Sequence, residues 1–361
     1  MRVERIANRQ MGFIIFMIRT TFIIATLPVL TSGNAGQDAW ASALLTLFVT
    51  VVIAVGIAAL GARFPEMTVI EYSRKLLGKY LGGLISLGFL WLFLHIAATD
   101  SRLYAEVLVT GYLPNTPLLF IVSSMVVLAS LIVYQGIESL GRLADALIFL
   151  FTAFVIASML VAMRRIDAAN LEPVLARGVG PVLSGTITPI AVGAQFIGIS
   201  MLVPVLTAPK KAVSAAILAA LLNGVVLVLA AVTVVGTLGP ELGSRTVFPF
   251  FLMTRSLELA PRFLERVDVF GTIAWGFGLL IDVTLFLYCG SRGMSQLFGL
   301  RDYRPLVAPM AVVWALLAVH GYDDVFEVLA LFRPEVIFPY ITVIMFVPFL
   351  LLWAAYLIRR L

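Results

Sequence analysis

Long apolar stretches separated by short polar segments run through the whole chain. About ten stretches approach the 20 or so residues that a helix needs to cross the hydrocarbon core of a bilayer. They lie near residues 11–30, 40–60, 84–105, 118–135, 139–162, 183–205, 212–236, 267–290, 306–320 and 337–358. Their lengths are those of helices rather than of alternating strands, which excludes an outer-membrane barrel. The pattern predicts an all-α polytopic membrane protein, 1–361 forming a single membrane domain.

Composition supports this interpretation and excludes several kinds of site. Hydrophobic residues make up 61% of the chain and charged residues only 12%, about half the charged fraction of soluble domains. The net charge of +5 comes without a compact basic run, so we attribute it to membrane topology rather than to nucleic-acid binding. One cysteine, Cys289, and two histidines leave no basis for a disulfide, a metal site or another cofactor.

The distribution of Lys and Arg between loops predicts the orientation. An even number of spans places both termini on one side, and the loops of that side carry more Lys and Arg, so both termini should be cytoplasmic. Arg2, Arg5 and Arg9 before an apolar stretch also suit a signal peptide. The stretch is nearly long enough to span, which favours a retained first helix.

Two connecting segments have helical character of their own. Residues 63–82 are too polar to span a bilayer and predict an interfacial cytoplasmic helix after Pro65. The longest loop, 237–266, contains an amphipathic stretch with Phe248, Phe250 and Phe251. This stretch is either a plain interfacial helix or a lid over the outer mouth of the protein.

Span six is poorly built as a plain membrane helix. Its sequence over 185–204, GTITPIAVGAQFIGISMLVP, contains Pro189, which removes a backbone donor and disfavours helix at Thr188. Span one, its counterpart if the chain divides into two halves of five, has polar residues in mid-run and then Pro28. Interrupted helices at corresponding positions indicate an inverted-repeat transporter fold, with repeats near 11–162 and 183–358. A Pro-kinked helix that binds no ligand is the alternative.

Broken helices free backbone groups that can hold a small ligand at mid-membrane. We therefore predict a ligand cradle at the breaks of spans one and six. On span eight, residues spaced by three, four and seven lie on one helix face. This face either forms a wall of the ligand pocket or only packs against neighbouring helices. The candidate ligand-binding residues are Thr20, Thr21, Thr26, Thr188, Gly193, Gln195, Trp275 and Gly278.

Charged residues inside membrane spans need a partner or a task. Arg19, Asp145 and Asp282 fall at similar predicted depths in spans one, five and eight. They form either a static ion pair between helices or a gate or proton relay. His95 in span three, near Trp91 and Thr99 on one helix face, is either a packed, hydrogen-bonded residue or a proton carrier. Three residues near the predicted outer end of span three are interpreted as interfacial and solvated, with a role in lining the entrance as the alternative: Asp100, Arg102 and Glu106.

Several segments resemble the spore-germination permease family, the B-type membrane subunit of nutrient germinant receptors. The resemblance is carried by RFPEMTVIEYSRKLLGKYLG (63–82), NLEPVLARGVGPVLSG (170–185), FPFFLMTRSLELAPRFLERVDVFGTIAWGFG (248–278) and LFGLRDYRPLVAPM (297–310). Where the family often begins with Ile-Ser-x-x-Gln, Ala7 replaces the serine. The resemblance implies a leucine-transporter architecture within the amino acid–polyamine–organocation superfamily. It also implies an amino acid or similar nutrient as ligand, and A-type and C-type partner subunits in the spore inner membrane.

Two functions therefore compete. One is a ligand-sensing, permease-like receptor subunit, and the other is a secondary transporter that moves an amino acid, coupled to protons. Both need the same pocket, so the physical pattern alone does not separate them, and the resemblance favours the sensor. An intramembrane enzyme is disfavoured because the sequence has no metalloprotease or nucleophile-elbow motif. A passive channel is disfavoured because no filter motif repeats.

Overall fold

The chain folds into a bundle of long helices. A computed structural model describes residues 4–26, 31, 33–256 and 267–359. In the first half the helices are α1 (Asn8–Ala25), α2 (Ala39–Arg63), α3 (Val69–Gly111), α4 (Leu118–Gln135) and α5 (Ile137–Met163). In the second half they are α6 (Val179–Val192), α7 (Gly198–Leu202), α8 (Ala212–Arg245), α9 (Pro249–Ser256), α10 (Val267–Phe298), α11 (Arg304–His320), α12 (Val325–Leu331), α13 (Pro334–Ile341) and α14 (Val347–Arg359).

The helices follow the predicted spans closely. Within the described ranges, eight segments are long and apolar enough to cross a membrane, and the bent pair α11–α12 would make a ninth. Span one corresponds to α1, which contains Arg9 and Arg19, ends at Ala25 and is not one of these segments. The predicted end of span one, 27–30, lies outside the described residues. Hydropathy thus located the helices, while their depth and rotation follow from packing.

Helix pairing indicates two related halves of five. Helix α2, span two, packs most extensively against α8, which is span seven. Helix α3 makes its most extensive interface with α10, span eight, and α4 does so with α11, span nine. Each of these spans therefore packs most extensively against the span five places later. An inverted repeat produces this relation when equivalent helices of the two halves interlock.

The polar segment before span three is separated from it by a sharp reversal. Gly78 has φ 83°, a left-handed conformation that other residues rarely adopt. After this residue the chain folds back, so the Ser86 hydroxyl donates to the Ile70 carbonyl at 3.3 Å. The predicted helix after Pro65 therefore exists and begins at Val69. Its place at the membrane interface stays a prediction.

Span six is interrupted, as its sequence predicts. Helix α6 ends at Val192, three residues after Pro189, and gives way to a 3₁₀ turn over Gly193–Ile197. A short helix, α7, follows and leads into a second 3₁₀ turn, Val203–Val205. Proline cannot donate to the helix ladder, and 3₁₀ geometry redirects the carbonyls of this stretch.

A buried arginine shapes the end of span nine. Arg102 on α3 donates to four main-chain carbonyls where the α11–α12 connection bends by 107°: Ala318, Val319, Tyr322 and Asp323. Its Nε also donates to Glu106 at 2.7 Å. The expectation that Arg102 is solvated is therefore wrong, because the guanidinium satisfies carbonyls that the bent helix leaves without partners.

The N-terminal segment is attached to the end of the broken span. The Ile6 amide donates to the Val205 carbonyl at 2.8 Å, and the Thr207 amide donates to the Ile6 carbonyl at 2.9 Å. Glu4 accepts hydrogen bonds from the Ile137 amide and from Arg304. The start of α1 is thus held by the α4–α5 turn, by α11 and by the end of span six.

The loop predicted as a possible lid is partly helical. Helix α8 bends at Gly239, continues to Arg245, and is followed by α9. Phe250 of α9 is buried, and the Phe251 ring lies 4.9 Å from that of Trp275, centroid to centroid. Residues 257–266 lie outside the described part of the chain. Helix α9 therefore covers the side of the bundle where Trp275 points.

Candidate functional site

A buried arginine links span one to the break in span six. Arg19 lies in the middle of α1 and is 2% exposed. One of its terminal nitrogens donates to the Val192 carbonyl at 2.8 Å and to the Gln195 side-chain oxygen at 3.4 Å. The guanidinium also lies over the Phe196 ring, 5.2 Å from its centroid. The carbonyl freed at the end of α6 thus has a cationic partner, which lowers the cost of interrupting a helix in a membrane.

Two carboxyl groups complete a buried polar cluster around Arg19. Gln195 Nε2 donates to Asp100 Oδ2 at 3.0 Å, which brings in α3. Asp282 of α10 is fully buried and interacts electrostatically with Asp100 and Arg19. Neither Asp282 oxygen accepts a hydrogen bond from any donor in the part of the chain that the structure describes. Four structural elements thus meet at one cation and two acidic side chains.

Two small cavities adjoin this cluster. The larger, about 40 Å³, lies between α1, α3, the end of α6 and α12–α13, and its walls are mostly apolar. The smaller, about 10 Å³, lies between α1, α3 and α10. Phe22 and Asp100 line both cavities, so they stand at the boundary between them. Asp100 is thus the acidic group closest to any molecule held here.

A hydrogen-bonded aromatic cluster forms another wall of the larger cavity. The two ring nitrogens of His95 contact the hydroxyls of Tyr322, at 2.8 Å, and Tyr340, at 2.6 Å. Trp91 Nε1 donates to Tyr340, and Thr99 shares a hydrogen bond with Tyr322. The predicted face of His95, Trp91 and Thr99 is therefore real. It holds α3 to the α11–α12 bend and to α13.

Asp145 lies elsewhere, so its predicted pairing with Arg19 is wrong. Its carboxylate accepts from Gln10 Nε2 at 2.7 Å and lies 3.5 Å from an Arg9 nitrogen, with 27% of the side chain exposed. Depth counted along a helix does not give the direction in which a side chain points. Gln10 also accepts from the Ala7 amide at 2.8 Å, so it caps α1 despite the missing serine.

Asp100 is the residue that sequence reasoning misplaced. We expected it to be interfacial, yet it is 6% exposed and central. Span three was predicted to end near 105, whereas α3 continues to Gly111, which leaves Asp100 deeper in the bundle. The signal that could have found it is the rule that an acidic residue inside a membrane helix indicates a functional site.

The threonines predicted to bind ligand are mostly engaged within the protein. Thr20 accepts from Asn223 at 2.8 Å, while Thr21 and Thr26 donate to carbonyls one turn earlier in α1. Thr188 donates to a carbonyl at the end of α12. Helix α1 is continuous through the polar residues Arg19–Thr21 and ends at Ala25, while the other part of the predicted interruption, at Pro28, lies outside the described residues. Of these four, only Thr21 lines either of the two cavities beside the cluster, the smaller one.

Of the remaining predicted residues, some line a cavity and others only pack between helices. Gln195 lines the larger cavity and Trp275 the smaller one, where its Nε1 donates to the Thr21 carbonyl at 2.9 Å. Gly278 lets α10 pack closely on Thr21 and Phe151, and Gly193 packs on α2; neither lines a cavity. The predicted cradle is thus reduced to Gln195, with Thr21 and Trp275 beside it.

Comparison with known proteins identifies the family. The family profile described as spore germination protein matches residues 5–325. The chain belongs to the spore germination permease family. Spore germination protein YndE of Bacillus subtilis (strain 168) is 28% identical over 90% of both chains. Spore germination protein KB of the same strain is 29% identical over 88% of this chain and 86% of that one. The family is one of permease-like membrane proteins rather than enzymes.

Solved structures establish the fold. A crystal structure of MhsT in complex with L-phenylalanine superposes with a TM-score of 0.68 over 99% of both chains, at 14% identity. A substrate-bound, outward-open Na⁺-coupled sialic acid symporter superposes with a TM-score of 0.65 over 95% of this chain and 78% of that one, at 12% identity. The predicted leucine-transporter type of repeat fold is therefore confirmed. The spore germination permease is an integral, multi-pass membrane protein.

Proposed function

We propose that this permease is the nutrient-sensing membrane subunit of a spore germinant receptor and binds a small neutral amino acid in the larger cavity. The observation that carries the proposal is Asp100, the acidic group in a mostly apolar wall beside the interrupted span. A buried carboxylate attracts the ammonium group that every free amino acid carries. Family membership supports a role in germination. The nutrient ligand and the sensing role are part of this proposal.

The surroundings of Asp100 suit a small apolar side chain. Phe22, Ile96, Ile337 and Ile341 give the cavity apolar walls, and its volume of about 40 Å³ holds only a small group. Thr99 and Gln195 supply hydrogen-bonding groups on the same side. A mostly apolar pocket with a few convergent polar groups is the usual form of a small-molecule site.

Sensing follows if the ligand prefers one of two arrangements of the bundle. A ligand shifts such an equilibrium only as far as its affinities for the two states differ, and no transport cycle is required. The cavity touches α12–α13 on one side and the break of span six on the other, so filling it biases their separation. We propose that A-type and C-type subunits in the spore inner membrane respond to this shift, with both termini of this chain cytoplasmic.

The test is ligand-dependent thermal stabilisation of the purified protein in detergent. Glycine, L-alanine and L-leucine form a graded series of side-chain size. We expect saturable stabilisation by a small member of the series and its loss in Asp100→Asn. Asp145→Asn is the matched control, since that carboxylate lies outside the cavity, and it should keep the response. Stabilisation unchanged in Asp100→Asn would contradict the proposed site.

A proton-coupled amino acid transporter is the second candidate, favoured by the shared fold with a Na⁺-coupled symporter. Reconstitution in liposomes separates the two. A sensor binds the amino acid but accumulates little of it when a proton gradient is imposed. Saturable, gradient-driven uptake by the isolated protein would favour the transporter.

A further inference from the structure

We propose that Asp100 and Asp282 together bind one proton, and that the ammonium group of a ligand displaces it. The second half of this proposal rests on the proposed function, and the first half does not. The site consists of the two carboxyl groups and the Arg19 guanidinium, supplied by α3, α10 and α1.

Hydrogen-bond chemistry favours a proton on this pair. The two carboxyl groups lie within hydrogen-bonding reach of each other. Ionised carboxylates only accept hydrogen bonds, so two of them cannot bond to each other without a proton between them. Asp282 has no N–H or O–H donor on either oxygen among the described residues, whereas Asp100 accepts from Gln195. Ionised Asp282 is the costlier anion of the two, so the proton resides on Asp282 and its O–H donates to Asp100.

Charge balance also indicates one proton on the two carboxyl groups. With both carboxyl groups ionised, Arg19 would leave the cluster with a net negative charge in a site buried inside the bundle. One proton makes the cluster neutral, which a low-dielectric interior strongly favours. The described groups that interact electrostatically with the pair are Arg19 from α1 and Tyr322 from the α11–α12 bend. A hydrogen bond from Gln195 adds the break of span six.

Ligand binding changes this balance. An ammonium group placed against Asp100 brings the positive charge that the proton supplied, so Asp282 can ionise and the proton leaves to solvent. Counted without the ligand's own carboxylate, the charges cancel in both states: one cation and one anion before binding, two cations and two anions after it. The ligand's carboxylate is one further negative charge in the bound state. Raising the pH removes the competing proton, so ligand affinity should rise by up to about tenfold per pH unit while the pair is protonated.

The proton itself is tested by infrared spectroscopy at neutral pH. A protonated carboxylic acid has a C=O stretch separate from carboxylate bands and shifted in heavy water. We expect such a band in the wild type and its loss in Asp282→Asn, since Arg19 then balances Asp100 alone. Asp100→Asn should lose the band for the same reason. This second variant replaces Asp282→Asn in the test if Asp282→Asn fails to fold. Asp145→Asn should leave the band unchanged. The proton site would be overturned if the wild type had no such band, or if its band persisted in both Asp282→Asn and Asp100→Asn.

The exchange is tested by calorimetry in two buffers of different ionisation enthalpy, with the graded amino acids as probes. Wild type should release about one proton per bound amino acid, and Asp282→Asn should bind without release and without the pH dependence. Binding by the wild type with no proton release would overturn the exchange. If no probe binds, the proposed amino acid site has failed, and the infrared result still decides the proton site by itself.

Discussion

Gln195 Nε2 donates to Asp100 Oδ2 at 3.0 Å, and the same side chain accepts from Arg19 through Oε1. An amide can donate and accept at once, so one glutamine joins a cation on α1 to an anion on α3. It does so from the 3₁₀ turn that interrupts span six. The break is thus held by side chains of two neighbouring helices.

Replacing Gln195 by leucine should destabilise the protein. The change removes both hydrogen bonds and leaves buried charged groups with fewer partners, at a cost of about 1–3 kcal/mol. Thermal unfolding in detergent measures the loss. Gln37→Leu is the control, because Gln37 donates to the Pro173 carbonyl near the surface. If both substitutions lowered the stability equally, the hydrogen bonds of Gln195 to Asp100 and Arg19 would contribute no more than an ordinary surface hydrogen bond.

Enlarging Ala194 should block the larger cavity. Ala194 lines it and is 2% exposed, so Ala194→Leu places three more carbon atoms in about 40 Å³. Ligand-induced stabilisation should disappear while the protein still purifies as a folded species. Ala215→Leu is the matched control, because Ala215 faces a wider groove of about 490 Å³ between α1, α5 and α8. Full ligand affinity in Ala194→Leu would place the ligand elsewhere.

The charges of the cluster should prove strongly non-additive. Asp100→Asn and Asp282→Asn each leave one anion for Arg19, so each single variant should fold. The double variant leaves a lone buried guanidinium, which costs about 3–5 kcal/mol. Adding Arg19→Leu to the double variant should recover folded yield in size-exclusion chromatography. Simple addition of the single losses, with no recovery, would mean that the three residues are not coupled.

Arg102→Leu should loosen the bend in span nine. Four carbonyls lose a charged donor, so we expect a loss of several kcal/mol and faster hydrogen exchange in α11 and α12. Arg142→Leu is the comparison: its i,i+4 pair with Glu138 is exposed, and such pairs contribute less than about 1 kcal/mol. Unchanged exchange in Arg102→Leu would contradict a capping role.

The sequence predicted the helices and the break in span six for physical reasons that act locally. Hydropathy depends on composition, and Pro189 removes a helix donor wherever it lies, although α6 continues through Pro189 and ends three residues later, at Val192. The residues that a given side chain contacts in the folded protein were harder to predict. Asp100 was misplaced because α3 extends beyond its predicted end, and Asp145 was misassigned because helix rotation is set by tertiary packing. Helix α1 runs through the polar residues Arg19–Thr21 without interruption because threonine hydroxyls can bond within a continuous helix.

The attachment of Ile6 to Val205 and Thr207 is made by main-chain atoms alone. Substitutions at Ile6 that keep its amide therefore leave these two hydrogen bonds available, and only proline removes the donor. A displacement of the end of span six must pull on the residues that lead into α1, or break both bonds. The first helices of the two halves are thereby tethered end to end, and a movement that starts at the break of span six reaches the start of α1 through the backbone, whatever side chains line the path.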